Sequence, residues 1–188
     1  MSAGTVANVT TGKRGIDGGI YAAPIGTALP TSATDTLNAA FKNLGYVSED
    51  GFKIGNSFTS TEIKEWGGNT VYNETDGKSE TASAKYIEAL NVDMLKTIYG
   101  EANVTVADGA VHIASKAEGA APMSYVVDIA QRGGRLRRIV LPNAAITSLG
   151  DIVFNGKDAV GYDVTLALSL GANGTTHDEY ISAAPASP

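Results

Sequence analysis

The chain has 188 residues, 43% of them hydrophobic, which is enough to bury one sizeable core and makes a single domain the expectation. Fourteen basic side chains against twenty acidic ones leave a formal charge of -6, which disfavours unassisted binding to phosphate backbones or anionic membranes. The lack of cysteine excludes disulfides, thiolate metal sites and a thiol nucleophile.

Residues 1–19 are rich in Gly, Thr and Ala with almost no periodicity, and read as a flexible N-terminal arm. They contain no apolar run of the kind a signal peptide needs. No later run approaches the roughly 18 apolar residues of a membrane span, so synthesis in the cytoplasm with no membrane association is expected. Gly15, Gly18 and Gly19 lack the lysine and following helix of a phosphate-cradling loop.

Residues 48–79 form a long polar segment that reads as a loop, with Glu49, Asp50 and Gly51 as an ordinary turn. It also carries Phe58, Trp66 and Tyr72 among other bulky groups, more than a disordered linker holds, so ordering on a partner such as another copy is expected. Trp66 is the only tryptophan of the chain, flanked by Glu62, Glu65 and two glycines. An indole carried outward on a loop suits an interface hot spot; the alternative is that it folds back to cap its own core.

Residues 81–90 begin as a strand, with Ala82, Ala84 and Tyr86 opposed to Thr81, Ser83 and Lys85. A short helix follows: Asn91 is its N-cap, Leu90 is placed to staple onto Leu95, Asp93 suits the first turn, and Leu95, Ile98 and Tyr99 make the apolar stripe. Gly100 supplies the stop. So short a helix must dock on a sheet.

Four dipeptides then mark tight turns: Asp108-Gly109, Gly133-Gly134, Asn155-Gly156 and Asn173-Gly174. Val104 and Val106 before the first, and Val111 and Ile113 after it, alternate with polar or small residues as hairpin strands do. Tyr125, Val127 and Ile129 share one face of the strand before the second. Over residues 161–170, Tyr162, Val164, Leu166, Leu168 and Leu170 share one face, while Asp163, Thr165, Ala167 and Ser169 share the other. Residues 183–188 read as a frayed tail. Many strands with one short helix give a mainly β (α+β) fold or a β-sandwich.

The residues offer little chemistry. His112 alternates into a hairpin strand, where a surface or packing role is expected. His177, Asp178 and Glu179 are adjacent, and three neighbours in a strand cannot converge on a metal. No catalytic set, cofactor or metal site is expected. Arg132, Arg135, Arg137 and Arg138 form the one basic cluster. In a net acidic chain without interleaved aromatics, it reads as a patch pairing with acidic loops of another copy rather than with DNA.

The order "APIGTALPTSATDTLNAAFKNLGYVSEDGF", "EIKEWGGNTV", "IEALNVDMLKTIYG", "GYDVTLAL" and "DEYIS" resembles the major tail tube proteins of long-tailed bacteriophages, over roughly residues 20–182. The resemblance implies a non-enzymatic structural protein of the virion tail. It implies a sandwich-like tube domain with a flanking helix, hexameric rings stacked into a tube, and inner sheets joined into a continuous barrel. The arm and the long loop would contact neighbouring rings, with Trp66, Glu62, Glu65, Phe58, Tyr72 and the four arginines as interface candidates. Partners would be further copies and other tail proteins (tape measure, tail tip and terminator), with viral DNA passing through the lumen without specific binding. A lumen facing DNA suits small polar and acidic groups, so Asp163, Thr165 and Ser169 are its candidates. The immunoglobulin-like decoration of some relatives is not expected here. A monomeric β-sandwich binding module that stacks sugars on Trp66 is the alternative.

Overall fold

The computed structural model describes residue 6, residues 9–14 and residues 19–184. The other parts of the expected arm and of the expected tail, Gly15 and Gly18 among them, lie outside the described residues.

Among the described residues, eleven strands and one α-helix follow in chain order: β1 (Gly12–Arg14), β2 (Ile20–Pro24), β3 (Lys42–Asn43), β4 (Val47–Lys64), β5 (Thr70–Tyr86), α1 (Val92–Tyr99), β6 (Val104–Ala107), β7 (Ala110–Ile113), β8 (Met123–Gln131), β9 (Leu136–Leu149), β10 (Tyr162–Ser169) and β11 (Asp178–Ile181). Nine strands hydrogen-bond into one antiparallel sheet in the order β3-β2-β8-β9-β10-β5-β4, with β1 also on β8 and β11 also on β9. β6 and β7 make a separate hairpin. The mainly β expectation holds. No helix among the described residues is long and apolar enough to cross a membrane.

The alternation read from the sequence places the core. Tyr162, Val164, Leu166 and Leu168 of β10 are buried beside Ala82, Ala84 and Tyr86 of β5, and Tyr125 and Val127 of β8 join them. Met94, Leu95 and Ile98 of α1 close that face, and Tyr99 meets Tyr162 edge-on with ring centroids 6.3 Å apart. The opposite face holds a smaller cluster of Ala23, Phe41, Val126 and Val140, so the sheet carries apolar groups on both sides around β2, β8 and β9. That double burial explains the unbroken apolar run "YVV".

Asn91 caps α1 as read, its Oδ1 accepting from the Met94 N–H at 3.1 Å, while its Nδ2 donates to the Asn43 carbonyl at 3.3 Å and ties the helix to β3. Gly100 ends the helix at φ 95°, ψ 142°, a conformation open to glycine alone. The staple does not form. Leu90 is 89% exposed, because the chain enters the helix from β5 with Leu90 turned to solvent. Leu170 is likewise exposed, since β10 ends at Ser169.

Two turn readings also change. Asp108-Gly109 and Gly133-Gly134 close hairpins as expected. Asn155-Gly156 instead lies in an irregular connection between β9 and β10. Asn155 Oδ1 accepts from the Lys157 and Asp158 N–H groups, and this local bonding replaces a strand ladder. Asn173-Gly174 turns the chain, but β10 and β11 do not pair with each other: both lie along the same edge of β9.

The largest departure is at residues 48–79, expected as a loop. β4 and β5 pair there almost to the tip, from Asn56 with Glu80 to Lys64 with Thr70. Thr59, Thr61, Ile63, Thr70, Val71 and Thr75 supply the β-branched bias of a strand. No apolar alternation advertises it, because the hairpin leaves the sheet and neither face is buried: Gly55 to Ser79 are exposed throughout. The turn is made by Gly67-Gly68, with the Gly68 N–H bonded to the Glu65 carbonyl at 2.8 Å and Gly68 at φ 88°.

Candidate assembly surfaces

One transverse row of paired residues crosses six strands: Pro24, Met123, Ala144, Leu168, Glu80 and Asn56. On one side of it lie the turn joining β8 to β9 and the free part of the β4–β5 hairpin. Ten residues from Ser57 to Trp66 at about 3.3 Å each carry the tip about 30 Å past the row. The tip and the arginine turn therefore emerge at the same end of the sheet.

Trp66 sits at that tip with 105% relative exposure, so it does not cap its own core. Ile63 and Tyr72 face each other across the strands near it, and Phe58 and Val71 are exposed as well. The carboxylates are lightly held: Glu62 lies 3.9 Å from Lys64, and Glu65 accepts from Asn69 Nδ2 at 2.6 Å.

The root of the hairpin is fixed differently. Glu80 is only 3% exposed, and it meets Lys78 Nζ at 2.6 Å, the Thr176 hydroxyl and His177 Nδ1 at 3.3 Å. Burial pushes its pKa up, but the Lys78, Thr176 and His177 contacts outweigh that, and the carboxyl is held below the ordinary glutamate value. His177 thus joins the last connection of the chain to the base of the hairpin, with Glu179 at 4.0 Å as its second carboxylate. Sequence reasoning missed Glu80 because two of its three partners, Thr176 and His177, lie nearly a hundred residues away.

The four arginines part company. Arg132 and Arg135 are exposed in the turn, where Gly133 and Gly134 both adopt positive φ. Arg137 pairs with Glu179 of the neighbouring β11. This is the kind of arginine-to-carboxylate contact expected between copies, formed instead within one chain because β11 pairs with β9. Arg138 is 6% exposed and equally internal. Its Nε and Nη2 donate to Asp128 at 2.6 and 2.9 Å, and its Nη1 donates to the Ser32 and Asp35 carbonyls at 3.2 and 2.6 Å. Alternation turns it inward, where it staples the 31–36 segment to the sheet. The Asp128 carboxylate raises its pKa further despite burial. The same segment is knit by Asp35, which accepts from Ser32 and Thr31; those bonds hold its carboxyl at about 2.

Asp163, Thr165 and Ser169 share the face of β10 opposite the core, with Asp163 and Ser169 exposed. His112 is exposed on β7. No cluster of three or more His, Asp or Glu suited to a metal ion exists among the described residues.

A long edge unpartnered among the described residues, a projecting hairpin and ionic groups spent on internal clamps describe a building block. The family model for phage tail tube proteins matches residues 12–188. This chain belongs to the phage tail tube protein family. It is a structural protein of the virion tail and not an enzyme. Among solved structures it is similar to a chain from the cryo-EM structure of an extracellular contractile injection system, the PVC sheath-tube complex in its extended state. The two are 11% identical, the match covers 91% of this chain and 92% of that one, and the TM-score is 0.41. A search of curated proteins finds no match. In this tail tube protein, the interface candidates read from the sequence fall into two groups. Trp66, Glu62, Glu65, Phe58, Tyr72, Arg132 and Arg135 stand at the surface, whereas Arg137 and Arg138 are committed within the subunit.

Proposed function

We propose that this tail tube protein assembles into hexameric rings that stack into a hollow tube for passage of the genome during ejection. The observation that carries the reading is the outer edge of β4, an eighteen-residue strand with no partner beyond β5 among the described residues. A long free edge invites uncontrolled pairing unless another copy covers it. Closing the sheets of neighbouring copies into one sandwich-lined barrel removes the edge in every subunit at once, and head-to-tail contacts between rings then extend the tube.

In this reading Asp163, Thr165 and Ser169 face the lumen, where small and acidic groups let DNA slide without being held. The 1–19 arm, whose Gly12–Arg14 part adds to β8, and the hairpin engage neighbouring copies. Tape-measure, tail-tip and terminator proteins are the further partners, and the subunit is made in the host cytoplasm before assembly.

Negative-stain electron microscopy over a concentration series, with light scattering on the same samples, tests the proposal. Hollow tubes of uniform diameter with six-fold end views are the expected result. Rings of another order would overturn the hexamer. Protein that stays monomeric even with a tail-tip complex added would overturn the tube.

A further inference from the structure

Resting on that reading, we propose that the Trp66 tip of each subunit docks into one particular cavity of a copy in the adjacent ring. The cavity lies at the corner where β2 ends and β8 begins. It has a volume of about 590 Å³ and is lined by Pro24, Ile25, Ala121, Pro122 and Met123 together with the last turn of α1. That space takes an indole with room for a flanking side chain, and Met123 offers a thioether to the ring.

Placement in the fold selects the occupant. Pro24 and Met123 belong to the transverse row, and residues 25 and 120–122 continue beyond it, away from the hairpin. The tip projects about 30 Å the other way, so it cannot reach the cavity of its own chain. A projecting apolar group and a cavity at opposite ends of one subunit make a heterologous contact, which propagates a filament rather than closing a pair. The second apolar cavity, beside Arg135 and Leu136, lies at the same end as the tip, and unlike ends meet along a polar tube.

Charge agrees. Glu62 and Glu65 flank the indole, and on the cavity lining the exposed Lys42 has no carboxylate partner among the described residues, its Nζ reaching the Ala39 carbonyl at 3.4 Å. Lys96 is already taken by Glu101 at 2.5 Å. Asp93, on the α1 side of the lining, steers the incoming carboxylates toward Lys42.

The cysteine-free chain makes the test direct. The full-length double variant Trp66→Cys/Ala121→Cys, assembled at a concentration above the raised threshold that loss of the indole brings and treated with a short bis-maleimide, should give a ladder of covalent oligomers that runs past the ring number. The control Trp66→Cys/Arg135→Cys should not. Trp66→Ala should raise the critical concentration for assembly by at least about tenfold, as loss of a hot spot does. Lys42→Glu should raise it too, with recovery when Glu65→Lys is added. Tubes that form without the 66-to-121 cross-link, or that cross-link 66 to 135 instead, overturn the docking while leaving the tube reading intact. A wild-type chain that forms no tubes overturns both.

Discussion

Replacing Arg138 with methionine separates a clamp inside the subunit from a contact between subunits. The guanidinium makes four hydrogen bonds, two to Asp128 and two to the carbonyls of Ser32 and Asp35. Arg138→Met keeps the aliphatic stem and leaves a carboxylate and two carbonyls without their donor. Breaking a buried ion pair costs about 3–5 kcal/mol. The Asp128 side chain keeps 25% of its exposure and can recruit water, so the low end applies, about 3 kcal/mol. With a urea m-value of about 2 kcal/mol/M, the unfolding midpoint of the monomer should fall by about 1.5 M. The measurement belongs at low protein concentration, where assembly adds no stability by mass action. The 31–36 segment should exchange its amides faster in the variant. A midpoint shift below about 0.3 M, combined with lost tube formation, would refute the clamp and return Arg138 to an interface.

Asn91→Ala removes the side chain that accepts from Met94 and donates to the Asn43 carbonyl, and should cost about 1–2 kcal/mol in urea melts, while Asn91→Asp should recover the cap half of that loss. Gly100→Ala should destabilise by more than 1 kcal/mol, because φ 95° with ψ 142° is a backbone conformation that alanine avoids. Asp35 and Glu80 both have depressed pKa values, so their contributions are complete above the ordinary carboxylate range. The Asp35 contribution is lost as pH falls from about 4 toward 2, and the Glu80 contribution as pH falls below the ordinary glutamate range. Thermal melts should show that acid slope shallower in Asp35→Asn and in Glu80→Gln; wild-type slopes in both variants would refute the assignment.

The sequence by itself determined the strands that bury one face. Alternation at Ala82, Ala84 and Tyr86, and from Tyr162 to Leu168, is imposed by the core, so the pattern is written in the residues. Asn91 and Gly100 bounded the helix because capping chemistry is local. That Trp66 stands clear of its own core was legible from its polar surroundings. What only the tertiary structure decided falls into two kinds. The projecting part of the β4–β5 hairpin, residues 55–79, buries neither face, so nothing in its hydropathy distinguishes ladder from loop; pairing between two exposed strands settles it. The fates of the arginines and of Glu80 depend on partners remote in sequence: Glu179 reaches Arg137, and Thr176 and His177 reach Glu80, only because the chain after β10 returns along the edge of β9. Local chemistry fixes turns, caps and faces, while charge pairing waits on topology, since a Coulomb contact is a matter of distance in space and not along the chain.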